Sequence, residues 1–403
     1  MTHRTTRRAI HILIAVSAAV LALQLIPWEP AARLFPSLSP ILGLGGALAR
    51  RAAGPAALMG FPILLLAFTH KRWFCYHACP TGLCAEAAGR LNPRAAAHFG
   101  TWPRLGGGLA LLLLGSAAIG YPLALGLDPL SLFNGFFSAW RRPFEAGLPP
   151  LASGFILVLL ISLARPHLWC LRLCPLGGLQ DGLHGLARFA GSRRRPEASA
   201  DESAALPLRR IFLGAAAGGL AGLLLRRRPA GTAVIRPPGA APEARFTGLC
   251  ARCGACIRAC PRHILFPDLG EAGAAGLLAP IIQYGNGYCF EQCKACTEAC
   301  PTGAIRALTL EQKRQLALGT AGVEKSRCLA WKDGLYCMAC QESCPYSAIT
   351  IVVQKGVNCP VVEPRHCRGC GACQANCPAR PRRAITVRAA PQHELPGQSP
   401  QAG

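Results

Sequence analysis

The sequence predicts two kinds of structure joined end to end: an α-helical membrane domain of four helices plus a fifth anchor segment, then tandem α+β modules built around cysteines. Three observations carry this. The first half holds long apolar stretches, on a chain that is 51% hydrophobic and only 15% charged, with mean hydropathy +0.30. The last third spells out four cysteine quartets, each closing on Cys-Pro. Between them runs a basic linker with paired arginines. The implied boundaries are 1–187 for the membrane domain, 188–228 for linker and anchor, 229–388 for the cysteine-rich part and 389–403 for a disordered tail.

Four stretches approach the roughly 20 residues that cross about 30 Å of hydrocarbon as a helix. They run from Ile10 to Pro27, Ala56 to Thr69, Leu105 to Leu125 and Leu151 to Ala164. Arg4, Arg7 and Arg8 place the N-terminus in the cytoplasm by the positive-inside rule. The second and fourth helices then return to that side, at His70-Lys71-Arg72 and Arg165-Pro166-His167.

Each return leads into the same motif, Cys75-x3-Cys79-Pro80 and Cys170-x3-Cys174-Pro175. Two such pairs supply four thiolates, enough for one further cluster or metal, with Cys84 as a spare. The alternative is a set of buried, inert thiols. The intervening segments, Pro30 to Arg51 and Asp128 to Pro150, carry Phe35, Phe133, Phe136, Phe137 and Trp140. Such aromatics belong at a membrane interface, either as simple anchors touching lipid or as the lining of a quinone pocket.

The linker ends in Leu208-Arg209-Arg210-Ile211-Phe212-Leu213-Gly214 and continues apolar to Leu225. Paired arginines ahead of Phe-Leu and a glycine-rich apolar run resemble the twin-arginine export signal. A short membrane helix with arginine flanks is the plainer reading. No A-x-A cleavage site follows, so the segment is expected to stay as an anchor and to place the rest of the chain outside.

The quartets carry the chemistry. They are Cys250-Cys253-Cys256-Cys260, Cys289-Cys293-Cys296-Cys300, Cys328-Cys337-Cys340-Cys344 and Cys367-Cys370-Cys373-Cys377. The first and last read C-x2-C-x2-C-x3-C-P, the run that binds a [4Fe-4S] cluster with three cysteines and sends the fourth to a neighbouring one. Zinc ribbons pair their cysteines across a longer spacer, and local disulfides would be strained. No C-x-x-C-H occurs, which excludes attached haem on motif grounds.

Short β-prone pieces follow the quartets at Ala304-Ile305, Ala348 to Val353 and Ala384 to Val387. Loop, short helix and strand of this sort make ferredoxin-like α+β modules with two [4Fe-4S] clusters each. Pairing quartets in sequence order groups Cys250, Cys253 and Cys256 with Cys300, and Cys289, Cys293 and Cys296 with Cys260. It likewise groups Cys328, Cys337 and Cys340 with Cys377, and Cys367, Cys370 and Cys373 with Cys344. Cys359 stands outside every quartet, as a buried thiol or a substitute ligand.

The formal charge of +24 does not imply nucleic acid. Residues 1–228 hold 24 Lys and Arg against 8 Asp and Glu, and residues 229–403 hold 19 against 11. Each cluster with four thiolates adds about −2, which brings the second part to near neutral. No basic face with interleaved aromatics remains.

Residues 235–388 resemble the MauM/NapG-type ferredoxin family. The likeness lies in Arg236-Pro237-Pro238-Gly239-Ala240, Pro242-Glu243, Cys250-Ala251-Arg252-Cys253-Gly254, Cys300-Pro301-Thr302-Gly303-Ala304, Cys328-Leu329-Ala330-Trp331 and Cys367-Arg368-Gly369-Cys370-Gly371. Residues 60–180 resemble NapH/NosR-like polytopic membrane iron–sulfur proteins through the two C-x3-C-P motifs. Together the resemblances imply a multi-pass protein of the bacterial inner membrane with its ferredoxin domain in the periplasm. It would pass electrons between the quinone pool and a periplasmic oxidoreductase or cytochrome. Two alternatives are a maturation factor for a periplasmic metalloenzyme and a polyferredoxin facing the cytoplasm. No residue has the setting of a general acid, base or nucleophile, so an electron carrier fits better than an independent enzyme.

Overall fold

A computed structural model describes residues 9, 12–20, 31–92, 103, 105–140, 149–192, 205–227, 233–285 and 287–390. The chain divides into two compact units. The first takes the described residues of 1–229 together with 244–255 and 301–304, and the second takes 230–243, 256–300 and the described residues from 305 onward.

The first unit is helical, but its helices are not the expected spans. Among the described residues no helix is long and apolar enough to cross a membrane, which overturns the α-helical membrane domain and the multi-pass inner-membrane location. The stretch from Ile10 is helical over 12–20, and the residues on either side lie outside those described. The second is broken into Pro55–Met59 and Phe61–Thr69. At that break Gly60 lies against Pro40, so close that a Cβ would stand 2.7 Å from the Pro40 Cα.

The third stretch is helical only over the 14 residues Leu105–Ala118, and Gly120 follows at φ +87°. At 1.5 Å per residue those 14 residues rise about 21 Å, well short of a bilayer core. The fourth is the 12-residue helix Ser153–Ala164. The fifth segment is one helix, Ala205–Arg226, with Arg209 and Arg210 inside it rather than in a linker ahead of it. It packs on Leu105–Ala118 at glycines: a Cβ on Gly115 would lie 2.1 Å from the Ala215 carbonyl oxygen, and one on Gly218 would lie 2.2 Å from that of Leu112.

The aromatic residues expected at a membrane surface mostly form the core instead. Phe133 is 2% exposed and stacks obliquely on Phe35 and Phe137 at 5.7 and 4.7 Å, while Phe136 meets Phe155 at 5.1 Å. Trp140 alone of the five is half exposed. Each ring buried against its neighbours removes a large apolar area from water.

The second unit carries three two-stranded antiparallel sheets. β1 (Leu265–Pro267) pairs with β2 (Pro280–Ile282), β3 (Gly319–Val323) with β6 (Ile385–Ala389), and β4 (Ile349–Gln354) with β5 (Val357–Val362). The β4–β5 hairpin turns on Lys355 and Gly356, both at positive φ, as a two-residue primed turn requires. β3 precedes the third quartet and β6 follows the fourth, so their pairing closes one module around both. The piece at Ile305 makes a single bridge to Ala240 rather than a strand. The core between β3, β4 and β6 is built largely of cysteine and alanine, with Cys328, Cys340, Cys367, Cys373 and Cys377 packed among Ala321, Ala348, Ile349 and Ile385.

Candidate iron–sulfur sites

In the helical unit the two C-x3-C-P motifs are built alike. Proline cannot donate a backbone N–H and disfavours a helical residue before it, so each motif ends one helix and starts another at the proline. Cys79 is extended (φ −80°, ψ 111°) and caps the helix Pro80–Arg90; Cys174 is extended (φ −64°, ψ 119°) and precedes Pro175–Ser192. The freed N–H groups of each first turn then point at sulfur. Gly82 donates to Cys79 Sγ at 3.4 Å, and Leu176 and Gly177 donate to Cys174. Cys75 lies on Trp73–His77, and Cys170 on the wide π-type turn Trp169–Leu173.

These four cysteines come together. Cys79 senses Cys75, Cys170 and Cys174 electrostatically, and Cys75 senses Cys170. Burial first, and then the neighbouring sulfurs, pushes the Cys75, Cys170 and Cys174 thiols up to about 12. Thiols so placed ionise only when a metal supplies positive charge. Gln180 Nε2 donates to Cys75 Sγ at 3.2 Å, and the buried Arg72 reaches the Cys170 and Leu171 carbonyls at 2.9 and 3.2 Å while pairing with Asp181. Arg72 holds this position at φ +54°, a left-handed conformation uncommon for residues other than glycine. Cys84 is pushed up by burial alone.

In the second unit three more groups of four form, each drawing on two quartets. Cys289 and Cys296 both sense Cys260 and Cys293. The nearly buried Lys313 amine donates to Cys289 and to the Phe290 carbonyl, drawing the Cys289 thiol down against the larger upward effect of burial. Cys328, Cys337, Cys340 and Cys377 line one cavity against an apolar wall of Val323, Leu329, Pro360 and Ile385. A second cavity is lined by Cys344, Cys367, Cys370 and Cys373, with Tyr346 beside them. Backbone N–H groups again face sulfur, Ala321 to Cys367, Ala348 to Cys344 and Ile305 to Cys300, each at 3.4 Å.

The first quartet divides between the units. Cys250 and Cys253 are buried in the helical one, where Asn134 Nδ2 donates to the Cys253 carbonyl at 2.7 Å and Arg252 Nη1 to that of Cys250 at 2.9 Å. Cys256 and Cys300 belong to the other. Cys359 is 2% exposed on β5, opposite Val352, and lines neither cavity.

Among the described residues no three His, Cys, Asp or Glu side chains converge as tightly as one bound ion needs. A cubane instead holds its thiolates at separate corners. All-sulfur donor sets around apolar cavities, with N–H groups directed at the sulfurs, suit iron–sulfur clusters in softness and in hydrogen bonding.

Comparison with known proteins agrees. A 4Fe-4S dicluster domain matches residues 249–304, and 4Fe-4S binding domains match 53–96 with 148–194, and 364–380. The chain is 36% identical over 205 residues to the methylamine utilization ferredoxin-type protein MauM of Paracoccus denitrificans, covering 87% of that protein and 47% of this one. The chain belongs to the MauM ferredoxin-type family. This ferredoxin-type protein is also 35% identical to NapF of Escherichia coli K12 over 145 residues (80% of NapF, 36% of the chain). It is 33% identical to NapG of the same organism over 180 residues (76% of NapG, 40% of the chain). No solved structure matches it significantly. What is shared with iron–sulfur proteins in the first half is thus the 4Fe-4S match around the C-x3-C-P motifs; the NapH/NosR-like membrane fusion is not supported.

Sequence reasoning did not find Arg72, Gln180, Asp181 or Lys313. Arg72 stands three residues before Cys75, and Gln180 and Asp181 lie two turns into the helix that Pro175 starts. Those spacings were the available signal. Lys313 lies 24 residues beyond Cys289, on the helix Leu310–Gln315, and no local pattern marks it.

Proposed function

We propose that this chain is a one-electron relay carrying four [4Fe-4S] clusters in its ferredoxin-type part and a fifth in its helical unit. The ligand sets are Cys250, Cys253, Cys256 and Cys300; Cys260, Cys289, Cys293 and Cys296; Cys328, Cys337, Cys340 and Cys377; and Cys344, Cys367, Cys370 and Cys373. Cys75, Cys79, Cys170 and Cys174 hold the fifth. The observation that supports this reading is the grouping of twelve cysteines in three sets, in which Cys260, Cys344 and Cys377 each stand with members of a neighbouring quartet, as in two-cluster modules. Bound clusters supply reversible one-electron chemistry. The protein's residues hold them, exclude water, and set their potentials through N–H donors and the charges of Arg72 and Lys313. The partner is a redox protein, by analogy with MauM an oxidoreductase of a small-molecule utilization system.

Anaerobically purified chain should contain about twenty irons with matching acid-labile sulfide and absorb broadly near roughly 400 nm. Sixteen irons would remove the fifth site, and a chain holding only zinc would remove the relay.

A further inference from the structure

Quartet order along the chain suggests a path through the first, second, third and fourth groups in turn. The contacts within the ferredoxin-type unit give another order. The Cys289 N–H donates to the Cys370 carbonyl at 2.9 Å, a direct link between a ligand loop of the second group and one of the fourth. Tyr284, 4% exposed, lies beside that link and donates its hydroxyl to the Gly369 carbonyl at 2.6 Å. Its ring fills the space next to Gly371, where a Cβ would stand 2.2 Å from Tyr284 Cδ1, and Gly371 is at φ +82°. Only glycine lets the Cys370 loop come this near. Tyr284 and Tyr346 each sense both Cys289 and Cys370. On its other side the fourth group meets the third: Cys373 senses Cys340, and the helices Ala339–Glu342 and Ala372–Asn376 pack together.

We propose that electrons pass between the two modules directly from the Cys260/Cys289/Cys293/Cys296 group to the Cys344/Cys367/Cys370/Cys373 group, across the Cys289–Cys370 hydrogen bond clamped by Tyr284. The third quartet in sequence, with Cys377, is then the outer end of the path. Electron tunnelling falls off exponentially with separation and is best along bonded and hydrogen-bonded atoms, so one short link outweighs longer ones. One electron leaves one group and enters the other; no atom or proton moves. This rests on the cluster reading above and adds the order.

The test uses the full chain with its iron in place, reduced stepwise and followed by low-temperature electron paramagnetic resonance. Cys373→Ser and Cys340→Ser alter the fourth and third sites while keeping a polar ligand atom. The spin coupling seen by the second group should change in Cys373→Ser and stay as in the unaltered protein in Cys340→Ser. The reverse pattern overturns the order. Should either variant lose iron beyond its own site, Tyr284→Leu at full iron content replaces it. That change should weaken the same coupling, and undiminished coupling overturns the proposal. A chain with far fewer than about sixteen irons defeats the cluster reading itself, whereas full iron with coupling in the wrong pair defeats only the order.

Discussion

Arg72 grips both carboxylate oxygens of Asp181, with Nε to Oδ1 at 2.8 Å, and also donates from Nη1 to the Cys170 carbonyl and from Nη2 to that of Leu171. One guanidinium thereby ties the first C-x3-C-P motif to the second, and leaves a positive charge beside Cys75 and Cys170.

Asp181→Ala should therefore do more than remove a surface ion pair. Arg72 has 8% of its side chain exposed, and an unpaired buried charge typically costs about 3 kcal/mol or more. We expect a lower thermal midpoint and loss of roughly one cluster's worth of iron. Arg72→Met, which keeps the volume, should retain more of the fold but lower the potential of the cluster held there, because a cluster's net charge is no longer offset. A spectroelectrochemical titration measures this, and an unchanged potential would show that Arg72 only braces the backbone.

Lys313→Met tests the second group. The Lys313 charge draws the Cys289 thiol down against burial, so its removal should leave Cys289 harder to ionise. Iron and sulfide loading depends on thiolate, and its rate profile should move to higher pH in the variant. A profile that does not move would separate Lys313 from the site.

Asp128 gives a pH dependence with a defined sign. It is fully buried, caps the helix Pro129–Ala139 through Leu130 and Ser131, and accepts from Ser39. Burial outweighs these hydrogen bonds and raises its carboxyl from 3.8 to about 6. A carboxyl raised on folding stabilises the protein most below its unfolded value and loses that contribution as pH rises through its folded value. Stability should thus fall between about pH 4 and pH 6, by about 3 kcal/mol for a shift of this size. Asp128→Asn cannot ionise and keeps a capping oxygen, so its urea midpoint should be flatter across that window. An identical slope in both proteins would place the pH dependence elsewhere.

Cys359→Ala should leave the iron count unchanged. The thiol is buried on β5 and lines neither cysteine cavity, so its loss amounts to a small packing defect of about 1 kcal/mol. A fall of three or four irons would instead make it a ligand.

The cysteine chemistry was legible because it is local. Three cysteines within seven residues, then Cys-Pro, specify a ligand loop whatever surrounds it, and the same holds for the C-x3-C-P caps. The placing of Cys260 near the second quartet, and of Cys344 and Cys377 near each other's quartets, agrees with how such loops pair, and the ligand sets themselves stay a proposal. The membrane reading failed for an equally physical reason. Hydropathy averages over a window and does not register that Gly60 breaks one apolar run against Pro40, or that Gly120 at φ +87° stops another. Nor does it show that Phe35, Phe133 and Phe136 have ring partners to bury against instead of lipid.

By itself the sequence determined what these sites bind, because ligand type and spacing are properties of a few consecutive residues. Only the tertiary structure decided which charges stand over them and which groups adjoin. Arg72 lies 109 residues from Asp181, Lys313 reaches back to Phe290, and the Cys289 amide meets a carbonyl 81 residues on. Such meetings come from packing, in which the chain closes around buried sulfur and must satisfy each polar group it takes from water.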